Sequence, residues 1–206
     1  MEETIILKQM LNQYNITPTK KFGQNFLVNN DIVNKIIRSL GNVRNKNLLE
    51  IGPGIGVLTK NLLRTDLKSL TTIEIDKKFI PVLHQIKSRT SKNFHIINDS
   101  ALKIQEANII DGRYTIVANL PYGISTLLIV KWIKKLHLID KIIVMLQKEV
   151  ADRITAQVST QSYGRLSVLV QFVCDYELLF NVDPESFFPV PKVTSSMIQL
   201  KPKKTY

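Results

Sequence analysis

Short apolar segments alternate with helical patterns through the middle of the 206-residue chain. Alternation of this kind predicts a parallel sheet with helices on both faces, because neighbouring parallel strands need long crossover connections. The chain is therefore expected to adopt a Rossmann-like α/β fold. The predicted strands lie near residues 47–51, 70–75, 93–97, 114–118 and 141–146, and the helices near 56–64, 77–88 and 123–136.

Both ends of the chain add elements to this alternating region. Apolar spacing predicts a helix over residues 4–14, and a second helix is expected to start at a cap on Asn30 or Asp31 and to stop at Gly41. We expect one domain over residues 1–206, of which about 1–45 form an N-terminal helical and loop extension.

The pattern in the C-terminal third of the chain predicts two helices and two further strands at one edge of the sheet. A proline-containing loop joins the last two strands, which favours one antiparallel strand in a mostly parallel sheet of seven strands. These elements are helices at 147–158 and 164–173 and strands near 176–182 and 193–200.

A glycine-rich loop follows the first predicted strand. Gly52, Gly54 and Gly56 lie between this strand and the next helix, where glycine permits a tight turn and the close approach of a ligand to the backbone. Glu74 ends the second strand, and its carboxylate can accept hydrogen bonds from the ribose hydroxyls of a nucleoside cofactor. Glycines and acid together predict a cofactor site rather than a tight turn alone.

The spacing of the glycines favours one cofactor class. They follow the pattern G-x-G-x-G with Glu50 two residues ahead, whereas the dinucleotide fingerprint is G-x-G-x-x-G. S-adenosylmethionine has no phosphate to place at a helix N-terminus, and its cationic end suits an acid such as Glu50. After the third strand, Asp99 can accept a hydrogen bond from the adenine of this cofactor. Alternatively, Asp99 or Ser100 caps a helix.

Asn119-Leu120-Pro121-Tyr122 follows the fourth predicted strand, at the edge where open α/β sheets bind ligands. The Asn119 side-chain oxygen and a backbone carbonyl can accept both N–H bonds of an adenine amino group, which favours a tetrahedral nitrogen able to attack a methyl group. Pro121 keeps the turn rigid, and Tyr122 offers a face on which the target base can stack. The pattern predicts methyl transfer to adenine.

Two aromatic residues precede a stiff loop near the C-terminus. Pro189 and Pro191 would hold Phe188 at a fixed angle, so this ring could close the other side of a base sandwich opposite Tyr122. The alternative is a structural proline-rich connection. Trp132 and the single cysteine, Cys174, lie among apolar residues and are expected to be buried.

The chain carries 28 Lys and Arg against 17 Asp and Glu, a net charge of +11. This excess favours a polyanionic partner, since neutralised phosphates release counterions, although a solvated basic surface is the open alternative. The basic residues cluster at Lys20 and Lys21, at Lys131, Lys134 and Lys135, and at Lys201, Lys203 and Lys204.

Other classes of protein are disfavoured. No apolar run reaches the ~18–20 residues of a membrane span, and an acidic N-terminus does not suit a signal peptide, so we expect a cytoplasmic protein without a membrane partner. Three separated histidines and one cysteine lack the spacing of metal ligands, so no metal is expected.

The motifs together resemble the ribosomal RNA adenine N6-dimethyltransferase family, and its small-subunit branch in particular. The resemblance runs from about Lys20 to Leu200. It rests on seven ordered segments, which are residues 21–27, 50–56, 74, 99–101, 119–122, 163–168 and 188–193.

This resemblance implies the class I methyltransferase form of the Rossmann-like fold. It also implies S-adenosylmethionine as the cofactor and small-subunit ribosomal RNA, within a partly assembled 30S particle, as the partner. The implied reaction adds two methyl groups to each of two adjacent adenosines near the 3′ end of that RNA. We also expect a monomer. The candidate cofactor residues are Gln24, Asn25, Leu27, Glu50, Gly52, Gly54, Gly56, Glu74, Asp99, Ser100, Ala101 and Asn119. The candidate catalytic residues are Asn119, Leu120, Pro121, Tyr122 and Phe188.

The chain departs from the family pattern in two places. Gly123 stands where members commonly have Asn, and the helical C-terminal domain that helps the family engage RNA is expected to be absent. Three alternatives remain open: a large-subunit enzyme of the macrolide-resistance type, a non-catalytic RNA-binding relative, and an NAD-dependent enzyme. Leu120 and residues 163–167 favour the small-subunit branch, intact Asn119 and Glu74 favour catalysis, and the glycine spacing disfavours NAD.

Overall fold

The computed structural model describes residues 2–19 and 23–204, and within them nine strands and seven α-helices follow one another. The strands are β1 (Phe26–Leu27), β2 (Asn47–Ile51), β3 (Ser69–Glu74), β4 (Phe94–Asn98), β5 (Tyr114–Asn119), β6 (Ile139–Gln147), β7 (Cys174–Val182), β8 (Phe187–Phe188) and β9 (Ser195–Pro202). The helices are α1 (Glu2–Gln13), α2 (Asn30–Ser39), α3 (Val57–Leu62), α4 (Ile80–Lys87), α5 (Ser125–Ile133), α6 (Lys148–Thr155) and α7 (Arg165–Val173).

Seven strands form one sheet in the order β4-β3-β2-β5-β6-β9-β7. β2 to β6 pair in parallel, and β9 runs antiparallel to both of its neighbours, β6 and β7. The predicted mostly parallel sheet with one antiparallel strand is confirmed. β1 and β8 form a separate antiparallel pair in which Phe26 lies opposite Phe188.

Helices cover both faces of the large sheet. Successive side chains of a strand point to opposite faces, so Leu48 packs into the cluster under α1 to α4 and Leu49 into the cluster under α5 to α7. β2 and β3 are buried along their whole length, as expected of central parallel strands that are covered on both faces. Trp132 and Cys174 are buried in the second cluster, so both packing predictions are confirmed.

The predicted cap of α2 is wrong by one residue. Asn29 precedes the helix in an extended conformation, and its Oδ1 accepts hydrogen bonds from the backbone N–H groups of Asp31 and Ile32 at 3.0 and 3.2 Å. Asn30 and Asp31 lie inside the first turn of the helix. The other end agrees with the sequence, because Gly41 follows α2 with φ at +61°.

α1 packs on the first face of the sheet through Leu7 and Leu11, so the N-terminal segment shares the core of the α/β fold. Among the described residues, no helix is both long and apolar enough to cross a bilayer.

Candidate active site and cofactor cavity

The carboxyl ends of β2, β3 and β5 open onto one cavity, since parallel strands end at the same edge of a sheet. Most of the predicted site residues line it, namely Gln24, Asn25, Leu27, Glu50, Gly52, Gly54, Glu74, Asp99, Ser100, Ala101, Asn119, Leu120, Pro121 and Tyr122. Gly56 and Phe188 are not among the lining residues.

The glycine loop and the acid of the next strand are joined directly. The backbone N–H of Gly54 donates to Oε2 of Glu74 at 3.0 Å. Gly54 has φ at +54°, and a Cβ there would lie 3.0 Å from the ring of Phe26, which lines the cavity. Glycine at this position keeps the cavity open.

Gly56 has a packing role. A Cβ on this residue would lie 2.3 Å from Cδ1 of Ile86, and its φ is +76°. The positive φ favours glycine at the start of α3, and the predicted contact of Gly56 with a cofactor stays a prediction.

The Glu74 carboxylate is held ready to accept further hydrogen bonds. Its Oε1 accepts from the N–H of Asp76 at 2.8 Å and its Oε2 from Gly54, and the residue is 4% exposed. Burial raises the pKa of this carboxyl, while the backbone hydrogen bonds oppose the rise. Each carboxylate oxygen can take more than one donor, so two ribose hydroxyls fit the free positions. The wall of the cavity thus suits a nucleoside cofactor.

Glu50 also lines the cavity, and burial disfavours the charged form of its carboxyl. The residue is 2% exposed, and Oγ1 of Thr59 donates to its Oε2 at 2.7 Å. Burial raises the pKa of Glu50 from 4.5 to about 8. A cation bound in the cavity would favour the carboxylate form, which fits the predicted contact with the positive end of S-adenosylmethionine.

Asp99, Ser100 and Ala101 lie on a turn beyond β4. Oδ1 of Asp99 accepts from the N–H of Ser100 at 2.6 Å, and Asp99 is exposed. The backbone N–H groups of Lys103 and Ile104 both donate to the Ser100 carbonyl, and no α-helix follows in the described chain before α5. The geometry therefore disfavours the helix-cap alternative and leaves the Asp99 carboxylate at the cavity.

A buried ion pair supports this turn. Glu106 is 0% exposed, and Nζ of Lys131, on α5, lies 2.6 Å from its Oε1. The same ammonium donates to the carbonyls of Ala101 and Ile104 at 2.6 and 2.5 Å, so its three N–H groups are all used. Nε1 of Trp132 also donates to Glu106, at 3.2 Å.

Lys131 and Lys135 belong to one of the basic clusters of the sequence, which suggested a polyanionic partner or a solvated surface. Lys131 and Lys135 instead point inward, with Lys135 Nζ 3.4 Å from Oε2 of Glu106. No local pattern could have indicated this, because Glu106 lies 25 residues before Lys131 in the chain. Lys134 is exposed. Lys20 and Lys21, like Phe22 in the N-terminal motif, fall outside the described residues.

The amide of Asn119 has a defined orientation. Its Nδ2 donates to the backbone carbonyl of Asn25 at 3.1 Å, and only the amide nitrogen can donate to a carbonyl. Within the described chain, neither Oδ1 of Asn119 nor the carbonyl of Leu120 accepts a hydrogen bond. The N–H of Leu120 donates to the Met145 carbonyl at 3.2 Å, which anchors this turn to β6. Two acceptors therefore remain available at the end of β5.

Ser195 anchors the ring of Tyr122. The two hydroxyl oxygens are 2.8 Å apart, with Ser195 fully buried at the start of β9. Burial raises the pKa of the Tyr122 hydroxyl. The sequence reasoning missed Ser195, whose only signal was its position just after residues 188–193. Gly123 is exposed and a Cβ there would meet no atom within 4 Å, so packing does not require glycine.

Phe188 lies beside the N-terminal segment. It pairs with Phe26, and Nζ of Lys8 lies 5.1 Å from the centroid of its ring. Its role opposite Tyr122 stays a prediction. Among the described residues, no three His, Cys, Asp or Glu side chains are grouped closely enough to hold a metal ion.

Comparisons with known proteins agree with this geometry. A family model described as "Ribosomal RNA adenine dimethylase" matches residues 15–206. The chain is 40% identical over 195 residues to "Ribosomal RNA small subunit methyltransferase A" of Wolbachia sp. subsp. Brugia malayi (strain TRS), covering 95% of this chain and 75% of that protein. It is 39% identical over 191 residues to the protein of that name in Ehrlichia ruminantium (strain Gardel), covering 93% and 73%.

Two solved structures share the fold closely. A dimethyladenosine transferase from Plasmodium falciparum has a TM-score of 0.79 at 34% identity, with 87% of this chain and 64% of that chain covered. The 23S rRNA methyltransferase ErmE has a TM-score of 0.76 at 28% identity, with 87% and 70% covered.

Proposed function

Because the chain belongs to the ribosomal RNA adenine dimethylase family, we propose that it dimethylates the N6 amino groups of two adjacent adenosines near the 3′ end of small-subunit ribosomal RNA. S-adenosylmethionine is the methyl donor. The observation that carries this proposal is the fixed amide of Asn119, whose free Oδ1 lies at the rim of the cavity that Glu74 lines. We infer that the enzyme acts in the cytoplasm as a monomer on a partly assembled 30S particle, and the +11 charge supports an RNA partner.

Three acidic residues are proposed to contact different parts of the cofactor. Glu74 accepts the ribose hydroxyls, Asp99 accepts from the adenine amino group, and Glu50 faces the cationic methionine end. When bound, S-adenosylmethionine supplies an electrophilic methyl group. The remaining contacts come from the backbone of the glycine loop, where Gly52 and Gly54 leave room for the ligand.

The catalytic turn acts on the target adenine. In the first transfer, Oδ1 of Asn119 and the carbonyl of Leu120 would accept the two N6–H bonds, which withdraws the nitrogen lone pair from the ring and directs it at the methyl group. In the second transfer, one of these oxygens would accept the N–H that remains. Attack by N6 would form the N–CH₃ bond as the S–CH₃ bond of the cofactor breaks, leaving a neutral thioether. The same two oxygens would stabilise the positive charge that develops on N6 until a proton leaves to water. Pro121 keeps the turn rigid, and Tyr122 stacks on the base while Ser195 holds its hydroxyl. Phe188 is proposed to close the other face.

The test is methylation of ribosomal particles that lack the modification. Purified 30S and 50S particles are incubated with labelled S-adenosylmethionine, and the labelled nucleotides are mapped. We expect label on two adjacent adenosines of the small-subunit RNA, abolished by Asn119→Ala and retained by Asn93→Ala, which alters an exposed asparagine far from the cavity. Label confined to the 50S particle would contradict the proposal.

That last result would favour the large-subunit alternative, which has one supporting observation, the similarity of this fold to ErmE. The non-catalytic alternative predicts a different outcome, because such a relative need not bind the cofactor. Calorimetry that detects no binding of S-adenosylmethionine would support it.

A further inference from the structure

A second concave surface lies away from the cofactor cavity, between α1, α3 and α4. We name it the α1–α4 groove and define it by Tyr14 of α1, Lys60 and Arg64 at the end of α3, and Arg89 just after α4. α3 runs opposite to the parallel strands, from Gly56 in the cofactor loop to this groove. The groove therefore lies roughly 9 Å along the helix axis from the cofactor loop.

Three cations line the groove without a carboxylate. Within the described chain, Lys60, Arg64 and Arg89 form no ion pair, and no Asp or Glu lines the groove. Nζ of Lys60 has only the weakly accepting sulfur of Met10, at 3.8 Å, and Nη1 of Arg64 has the neutral side chain of Asn61, at 3.5 Å. Burial, and then the charges of Arg89 and Arg64, lower the pKa of Lys60. Three positive side chains therefore face the groove with no negative side chain to neutralise them.

The groove also offers surfaces for uncharged parts of a ligand. Its floor is apolar, with Val82 and Ile86 from α4. The hydroxyl of Tyr14 donates to Oε1 of Gln85 at 2.5 Å, which leaves the amide nitrogen of Gln85 as a donor. An aromatic ring and an apolar floor beside several cations are the combination that holds a single-stranded nucleic acid by its bases and phosphates.

We propose that the α1–α4 groove binds the phosphodiester backbone of the RNA substrate, a few nucleotides from the target adenosine. Lys60 lies in α3, Arg64 two residues past its end, and Arg89 two residues past the end of α4, so the three cations come from separate points of the groove and can contact more than one phosphate. An RNA strand that enters the cavity at the carboxyl edge of the sheet can continue over α3 into this groove. The proposal rests on the proposed function only for the identity of the RNA.

The test compares two variants with the same change of charge. Arg64→Gln/Arg89→Gln removes two exposed arginines of the groove, and Arg38→Gln/Arg44→Gln removes two exposed arginines elsewhere. Binding of a labelled, unmethylated small-subunit RNA fragment is measured by fluorescence anisotropy at several salt concentrations. We expect the groove variant to bind about tenfold more weakly than the control, with a salt slope smaller by about 1 to 2. Calorimetry should give equal affinity for S-adenosylmethionine.

Equal RNA affinity in the two variants would overturn the proposal, because only total charge would then matter. A second arm titrates inorganic phosphate. If phosphate binds tightly through the groove arginines, while their removal leaves RNA affinity unchanged, the groove is a site for a free anion. That result would also overturn the proposal.

Binding and methyl transfer are measured separately, so the two proposals can fail separately. If the native chain binds RNA through the groove but does not methylate it, the proposed function fails and the groove stands. If the native chain methylates the RNA and both variants bind equally well, only the groove fails. Absence of RNA binding by the native chain would reject both.

Discussion

Lys131→Met is expected to destabilise the fold strongly, although the position looks like part of a basic surface in the sequence. Methionine keeps the length of the side chain and removes the ammonium. Glu106, which is fully buried, would then keep only Trp132 Nε1 at 3.2 Å and Lys135 Nζ at 3.4 Å. The carbonyls of Ala101 and Ile104 would lose their donor as well.

The magnitude follows from these contacts. Removing one partner of a buried ion pair costs about 3–5 kcal/mol, and the remaining contact with Lys135 places this case near 3 kcal/mol. For a domain of this size, 3 kcal/mol corresponds to a fall in Tm of about 6–12 °C. Since Ala101 lines the cofactor cavity, affinity for S-adenosylmethionine should fall too.

Thermal unfolding followed by circular dichroism checks the expectation. Lys134→Met is the matched control, because Lys134 is exposed on the same segment and outside the pair, and its free energy of unfolding should change by less than about 0.5 kcal/mol. Adding Glu106→Gln to Lys131→Met should restore part of the loss, because the unpaired buried charge disappears. A fall in Tm of less than about 2 °C in Lys131→Met would refute the reasoning.

Three further expectations concern the cavity. Glu74→Ala should weaken binding of S-adenosylmethionine by about 1.5–3 kcal/mol, because the ribose hydroxyls lose a charged acceptor; unchanged affinity in calorimetry would reject that assignment. Tyr122→Ala should slow methyl transfer much more than it weakens cofactor binding, and Ser195→Ala should slow it less; equal losses of transfer and binding in Tyr122→Ala would argue against base stacking. The pKa of Glu50 rises from 4.5 to about 8 on folding, so the folded state favours the protonated carboxyl. The stability that Glu50 contributes is therefore complete below pH 4.5 and is lost as the pH rises through 8. Glu50→Gln should therefore flatten the fall of Tm over this interval, and an unchanged fall would contradict the assigned protonation.

Periodicity and the order of the motifs predicted the fold and brought most of the candidate site residues to one edge of the sheet. Strand and helix periodicity depends on neighbouring residues, and the carboxyl ends of parallel strands must share one edge, so Gly54, Glu74 and Asn119 could be placed around one cavity before their distances were known. Turn chemistry is equally local, which is why Gly41 correctly marked the end of α2.

Which charged side chains are exposed and which are paired follows from the packing of the folded chain. In the sequence, Lys131 looks like a surface cation, but in the folded chain it pairs with the buried Glu106. Glu50 looks like an anion, but burial raises the pKa of its carboxyl to about 8. The contact of Ser195 with Tyr122 joins residues 73 positions apart. Contacts across such separations, and the desolvation of a group by its neighbours, depend on how elements pack together, and no local pattern in a chain records that packing.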